Sequence, residues 1–364
     1  MRKIGFTAVL LVVCVLMLIS CNKETNHVSD RLSDSNACQH KFDEWSTVLE
    51  PTCDDGQEVR VCTICKYTEK RIIRAKGEHV YVEPGKCKIC SVTMNKDFVF
   101  KINSDGLSYS FSYNGNDSTV VVPESYNELP VTQISDSAFE WCADLKKVQL
   151  PNSIVKIGNA AFKSCQKLTS VNTPDNLSNI GEEAFAGCTA LTRFYIPDSI
   201  TRIEYYTFSD CGFKSIDLPN TLTYIGESAF TGCCNFTALK IPASVTEIGE
   251  YAFSGCRALN KIEIENNTKL KTISACAFSA GASLKKVIVG EGVEVIEFEG
   301  FGSHPILNSV TLPSTLKKIG EKAFYLSDNT LNISYNGTSE EWNDIEFGKR
   351  WTSSAVNVRV NFLK

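Results

Sequence analysis

The chemistry this sequence could perform rests on its thiols and imidazoles. It holds 16 cysteines but only 4 histidines, His27, His40, His79 and His304. Between Cys38 and Cys90 they are interleaved as Cys38, His40, Cys53, Cys62, Cys65, His79, Cys87 and Cys90. The pairs CTIC and CKIC are separated by 21 residues, close to the pattern of two zinc-ribbon knuckles. Two residues between cysteines let a tight turn aim both thiolates at one ion, and a second such turn completes a tetrahedron. The spacing therefore points to a structural zinc site at Cys62, Cys65, Cys87 and Cys90, with Cys38, His40, Cys53 and His79 as alternative ligands. A disulfide framework is the competing reading in an oxidising compartment, but it gives the interleaved histidines no role. A thioredoxin-like use of either pair is disfavoured, since neither opens a helix within a βαβ unit.

A second set of cysteines keeps time with a repeat. Phenylalanine returns at 139, 162, 185, 208, 230, 253, 278, 301 and 324, in steps of 23, 23, 23, 22, 23, 25, 23 and 23 residues. Three residues after the first six stand Cys142, Cys165, Cys188, Cys211, Cys233 and Cys256. Units this short cannot bury their own apolar face, so they must stack and share one core. Equivalent positions then lie about one strand spacing apart, near 4.8 Å, which is poorly matched to the Cβ separation of about 3.8 Å that a disulfide prefers. The expectation is a ladder of buried, inert thiols. Gly281, His304 and Ser327 take the cysteine position in the last three repeats, which makes His304 a turn or cap residue before a base. Cys234 and Cys276 lie off the ladder, where the pattern leaves exposure open to them.

The elements that hold these positions follow from IPASVTEIGEYAFSGCRALNKIEI, Ile241 to Ile264. NKIEI alternates, with Ile262 and Ile264 inward and Lys261 and Glu263 outward. Its counterparts KKVQL, TRFYI, TALKI, KKVIV and NSVTL are predicted to pair as one long parallel sheet. Proline after most of them ends the strand, because it cannot donate the next ladder bond. The AF segment is predicted to form a tight helical turn that drops its phenylalanine into the core. The outward face would then show Lys147, Gln149, Ser170, Asn172, Arg193, Tyr195, Ser215, Asp217, Lys240, Lys261, Glu263, Lys286, Ile288 and Thr311. No paired carboxylates, no nucleophile beside a base and no phosphate-binding glycine loop stands out among them. Such a surface suits contact with a protein or a glycan.

The N-terminus carries an address. A basic start and an apolar run from Ile4 to about Ile19 are too short for a stable span and read as a secretory signal. The run closes on LISC, which resembles the bacterial lipobox; that resemblance implies acylation at Cys21 and a membrane anchor. The segment from Asn22 to Asn36 is polar and aperiodic, as a tether should be. The net charge of −5 on 364 residues, with no basic stripe, excludes a nucleic-acid binder.

Two further resemblances cover the rest. CQHKFDEW, the run to VCTIC and GEHVY resemble a short module of bacterial surface proteins; that likeness implies Cys38, His40, Cys62 and Cys65, or a set including His79, as the ligands. ITRIEYYTF, LTYIGESAFTGC and VTEIGEYAFSGC resemble the BspA-type leucine-rich repeats of bacterial surface proteins, over about Val120 to Phe324. VVVPESYNELPVTQISDSAF resembles that family's opening repeat, and ISYNGTSEEWNDIEFGKRW its closing segment, with Trp342 and Trp351 covering the open end. The expected organisation is a lipoprotein signal peptide over 1–20, a tether over 21–37, a Cys/His metal module over 38–94, an opening cap over 95–127, about nine repeats of 23 residues over 128–330 and a closing cap over 331–364. The fold class is a leucine-rich repeat solenoid, β-rich with short helical turns, behind a zinc-ribbon-like module. The resemblance implies a monomeric, non-enzymatic adhesion protein held at the cell surface, on the outer membrane. A scaffold lipoprotein without a dedicated ligand is the alternative, and an enzyme working through the Cys/His module a third.

Overall fold

The computed structural model describes residues 97–327, 330–354 and 356–364 in full. Ahead of these it gives the backbone of the strands Ser46–Leu49, Gly56–Val61, Thr68–Ile73, Val80–Val82 and Lys86–Cys87. The first three of these strands form a small sheet of their own. Lys86–Cys87 pairs antiparallel with Val80–Val82, which lies parallel to Ser125–Tyr126 in the larger unit.

The larger unit is a β-solenoid of about eleven coils with little helix. Most coils contribute one rung to each of two parallel ladders, and a tight turn closes the third side. The first ladder, here the long-strand ladder, begins with Thr119–Val121, Lys147–Gln149 and Ser170–Val171. It resumes with Ala238–Ile241, Lys261–Ile264, Lys286–Ile288, Ser309–Leu312, Thr330–Tyr335 and Asn357–Phe362. The second is built from shorter strands such as Lys156–Ile157, Arg202–Ile203, Tyr224–Ile225 and Lys318–Ile319. Alternation decides which side chains enter the core: in Lys261–Ile264, Ile262 and Ile264 are buried and Lys261 and Glu263 are not.

The nine phenylalanines form one continuous stack. Successive rings are 5.0–5.7 Å apart and within 16° of parallel. Each buried ring contributes on the order of 1.5–3 kcal/mol by leaving water, but only because the coils on either side exist to cover it. Both ends are closed by aromatics. Tyr113, on the opening hairpin of Phe98–Ile102 and Tyr109–Tyr113, sits 5.2 Å from Phe139. At the other end Trp351 meets Phe324 edge-on at 6.4 Å, while Trp342 packs on Tyr335 and Phe347. The only helix of the described residues lies in this closing segment, Ser339–Asn343, started by a capping box between Thr338 and Glu341.

Two expectations need correction. The AF turns are not helical. In all nine repeats the residues two before and two after the phenylalanine have left-handed φ, for example Ala160 at 52° and Ser164 at 60°. Two such residues in so short a span prevent the run of right-handed dihedrals a helix requires. The amides turn instead toward the next coil: Phe139 N donates to Ala161 O at 2.7 Å and Trp141 N to Lys163 O at 2.9 Å. The long-strand ladder is also not continuous. It lapses between Ser170–Val171 and Ala238–Ile241, so TRFYI and its successor KSIDL do not form strands. The lapse adjoins the one step of 22 residues, where only Gly212 separates Cys211 from Phe213. A Cβ at Gly212 would fall 2.2 Å from Thr189 O, so the shortened chain is drawn hard against the preceding coil there.

Candidate binding face

The long-strand ladder presents two outward columns. In one, Thr119, Lys147 and Ser170 are successive partners, as are Ala238, Lys261, Lys286, Ser309, Asn332 and Arg359. In the other, Gln149 lies beside Val121, and Lys240, Glu263, Ile288 and Thr311 follow one another. Arg193 and Ser215 fall in phase with the first column, Tyr195 and Asp217 with the second. The columns carry six cations, Lys147, Arg193, Lys240, Lys261, Lys286 and Arg359, against two carboxylates, Asp217 and Glu263, on a chain of net charge −5.

The lapse in the ladder opens a shallow depression of about 260 Å³ lined by Arg193, Phe194, Tyr195, Ser215, Ile216 and Asp217. Phe194 and Ile216 point into the core as the floor. Tyr195 is 67% exposed, which is unusual for an aromatic that has a core one residue away. Among the described residues, the side chains of Arg193, Tyr195, Ser215 and Asp217 have no hydrogen bond or ion pair. A second depression of about 270 Å³ adjoins it, lined by Lys240, Glu263, Ile264, Glu265, Asn266 and Ile288. Its charges are committed: Lys240 pairs with Glu265 at 2.5 Å and Lys261 with Glu263 at 2.6 Å. The Lys240 ammonium and the Ala243 amide hold the Glu265 carboxyl below its ordinary value, and Glu265 raises Lys240 in turn.

The structure thus divides the residues expected on this face. Lys147, Gln149, Arg193, Tyr195, Asp217 and Lys286 are exposed. Lys240, Lys261 and Glu263 belong to ion pairs. Asn172 is occupied by the fold: its amide accepts from Leu150 N at 2.6 Å and donates to Leu150 O at 2.8 Å, clipping one coil to the next. Glu265 and Asn266 were not expected; the signal was the step of 25 residues, whose two extra residues lengthen this turn.

The cysteine column is structural. Cys165 Sγ donates to Phe139 O at 2.9 Å, and Cys188, Cys211, Cys233 and Cys256 repeat the contact to Phe162, Phe185, Phe208 and Phe230 at 3.1–3.4 Å. Burial raises these thiols, to about 12 for Cys165 and Cys256 and well above the ordinary value for Cys188, Cys211 and Cys233. A nucleophile or metal ligand needs the thiolate, so the shift runs against both uses. Cys142, at the start of the column, is half-buried; its thiol is also raised by burial. Of the two cysteines outside the column, Cys234 is exposed and Cys276 is buried.

His304 continues the column with a different group. Its ring is buried, with Nε2 at 2.5 Å from Phe278 O and Nδ1 at 2.8 Å from Gly281 O. Burial lowers its pKa, opposed by the two carbonyls. A neutral ring carries a single N–H and can donate to only one of them.

Cys21 and the proposed metal ligands, apart from the backbone of Cys87, lie outside the described residues. Among the described residues no group of three or more His, Cys, Asp or Glu is placed to hold a metal ion, and no helix is long and apolar enough to cross a membrane.

Comparison with known proteins finds other leucine-rich repeat proteins. A leucine-rich repeat protein from Bacteroides ovatus ATCC 8483 is similar at 20% identity, over 74% of this chain and 90% of that one, with a TM-score of 0.44. A leucine-rich repeat protein from T. pallidum is similar at 24% identity, over 63% and 84%, with a TM-score of 0.39. A leucine-rich cell surface protein from Faecalibacterium prausnitzii A2-165 is similar at 22% identity, over 70% and 97%, with a TM-score of 0.28. No curated protein matches the chain significantly. The profile described as BspA type leucine-rich repeat region matches in 6 copies, over residues 101–233 and 201–330. The chain belongs to the BspA-type leucine-rich repeat family.

Proposed function

We propose that this protein is a non-enzymatic adhesion protein, lipid-anchored through Cys21 at the outer membrane, that binds host or bacterial proteins or glycans through the outward face of its long-strand ladder. The observation that carries the reading is the group Arg193, Tyr195, Ser215 and Asp217: four uncommitted side chains around a depression whose floor, Phe194 and Ile216, is buried in the core. Binding energy concentrates in well-placed Tyr and Arg residues, and a rigid scaffold lowers the ordering cost of contact. A structural zinc at Cys62, Cys65, Cys87 and Cys90 fits as a brace for the segment between anchor and solenoid, and its content is measured by elemental analysis with a free-thiol count.

The test is binding of the full chain to immobilised host matrix proteins and to whole bacterial cells. Saturable binding that weakens when Lys147, Arg193 and Lys261 are replaced by glutamate supports the reading. Saturable binding indifferent to all three would place the ligand elsewhere.

A further inference from the structure

The outward columns say something about the chemistry of the ligand. Cations outnumber carboxylates in the columns on a chain that is negative overall; Glu265, at their margin, is spent on Lys240, and other acids gather elsewhere. Glu182, Glu227, Glu250 and Glu321 stand beside the AF turns, and Glu227 and Glu250 act on the neighbouring Tyr205 and Tyr251. Charge is therefore segregated between the sheet face and the turn edge. Within the face, Lys147, Arg193, Lys286 and Arg359 have no ion-pair partner among the described residues. They are set apart: Lys147 and Arg193 are two coils from each other, about 10 Å at a spacing of about 4.8 Å per coil, Lys286 lies four coils beyond Arg193, and Arg359 three coils beyond Lys286. Asp217 and Glu263 sit between Arg193 and Lys286 in the adjoining column. A chain bearing one acidic group at intervals fits this order, whereas a densely charged polyanion would meet both carboxylates.

The shape narrows the choice further. A peptide bound by strand addition needs a free sheet edge, which this ladder has only at its end strands and not on its face, and one bound as a helix needs a row of apolar anchors, which the outward columns lack. The face offers an exposed ring at Tyr195, the hydroxyls of Ser170, Ser215 and Ser309, the amide of Gln149 and a guanidinium whose fork matches a carboxylate. An aromatic face with a polar rim suits a sugar ring, which is apolar on one side and hydroxylated at its edge.

From this we infer that the face binds a polysaccharide carrying carboxylates at intervals, a uronate-containing glycan, lying along the columns across the Arg193–Asp217 depression. The inference rests on the reading of this face as the binding surface and names its ligand class.

The experiment titrates the full chain with hyaluronan oligosaccharides, and with heparin, dextran and poly-glutamate as comparisons. Hyaluronan should bind saturably, more weakly as salt rises. K147Q/R193Q/K286Q should lose about tenfold or more in affinity, equivalent to about 1.4 kcal/mol. Tyr195→Ala should lose hyaluronan binding while keeping its melting temperature, since the residue is exposed. Equal binding of dextran, of heparin in preference to hyaluronan, or of poly-glutamate with the same sensitivity to Tyr195→Ala would each overturn the assignment. Absence of hyaluronan binding in a protein whose matrix-protein binding still depends on Arg193 would refute the ligand and leave the face; absence of both would refute both.

Discussion

The imidazole of His304 occupies the room that Gly281 leaves: a Cβ at position 281 would lie 2.7 Å from Cε1 and 2.8 Å from Nδ1 of that ring. The two residues occupy equivalent positions in adjacent repeats, where earlier repeats carry cysteine. The column thus passes from thiol to ring by emptying one position to fill the next.

Restoring the earlier pattern at one of these positions should therefore destabilise the protein. Gly281→Cys forces a side chain into the ring and should cost about 1–3 kcal/mol, the usual range for overpacking. G281C/H304C removes the conflict and should recover most of that loss. Urea unfolding of the single and double variants measures the coupling; additive effects would mean the two positions are independent.

The same ring makes stability depend on pH. Its folded pKa is depressed by burial, so the unfolded chain binds the proton more readily. Stability is then fully present above the ordinary value of 6.5 and falls as pH drops below it toward the folded value. His304→Gln should flatten this dependence between pH 8 and 5 relative to the parent. If protonation instead let the ring serve both carbonyls and stabilised the fold, the slope would have the opposite sign.

Left-handed turns predict paired effects of opposite sign. Ala160 holds φ 52°, where a side chain costs about 1 kcal/mol or more, so Ala160→Gly should stabilise the chain. Gly255, at φ 73°, has space for a Cβ, whose nearest contacts would be at 3.7–3.8 Å. Gly255→Ala should therefore cost about 1 kcal/mol through its backbone alone. Thermal melts of both variants, run side by side, test the turn geometry.

Thiol reactivity separates the buried column from its surroundings. Cys234 is exposed, while Cys165, Cys188, Cys211, Cys233 and Cys256 are buried with their S–H groups donated to carbonyls. Cys234→Ser should remove the equivalent of a single fast-reacting thiol in a disulfide-exchange titration of the native chain. Cys211→Ser should leave the fast phase unchanged. A change in the fast phase with Cys211→Ser would show that the column opens to solvent.

How much of this could be read from the sequence depended on whether a position speaks through residue type. The phenylalanine stack and the thiol column did, because burial at a fixed place in each coil demands the same kind of side chain each time. Strand alternation was equally plain in NKIEI. The turn conformation was not: left-handed φ usually announces itself as glycine, yet no repeat has glycine two residues before the phenylalanine and only three have it two after. There the hydrogen bonds between coils impose the backbone and the residue type is left free. The lapse of the ladder was hidden for a related reason. TRFYI has an ordinary strand pattern, and the lapse there adjoins a coil that is one residue short, beside Gly212. Asn172 and Arg193 also look alike as outward polar residues. Only the position of Leu150 in the preceding coil reveals that one is spent on the fold and the other is free.

The most direct test of the binding face compares two charge reversals on different sides of the solenoid. Arg193→Glu lies on the sheet face and Glu227→Lys on the turn edge, both on exposed side chains. In saturable binding of the full chain to immobilised matrix proteins and hyaluronan, Arg193→Glu should weaken affinity by about tenfold or more, and Glu227→Lys should leave it within about twofold. Equal affinities for the parent and Arg193→Glu, or a larger loss from Glu227→Lys, would contradict the account.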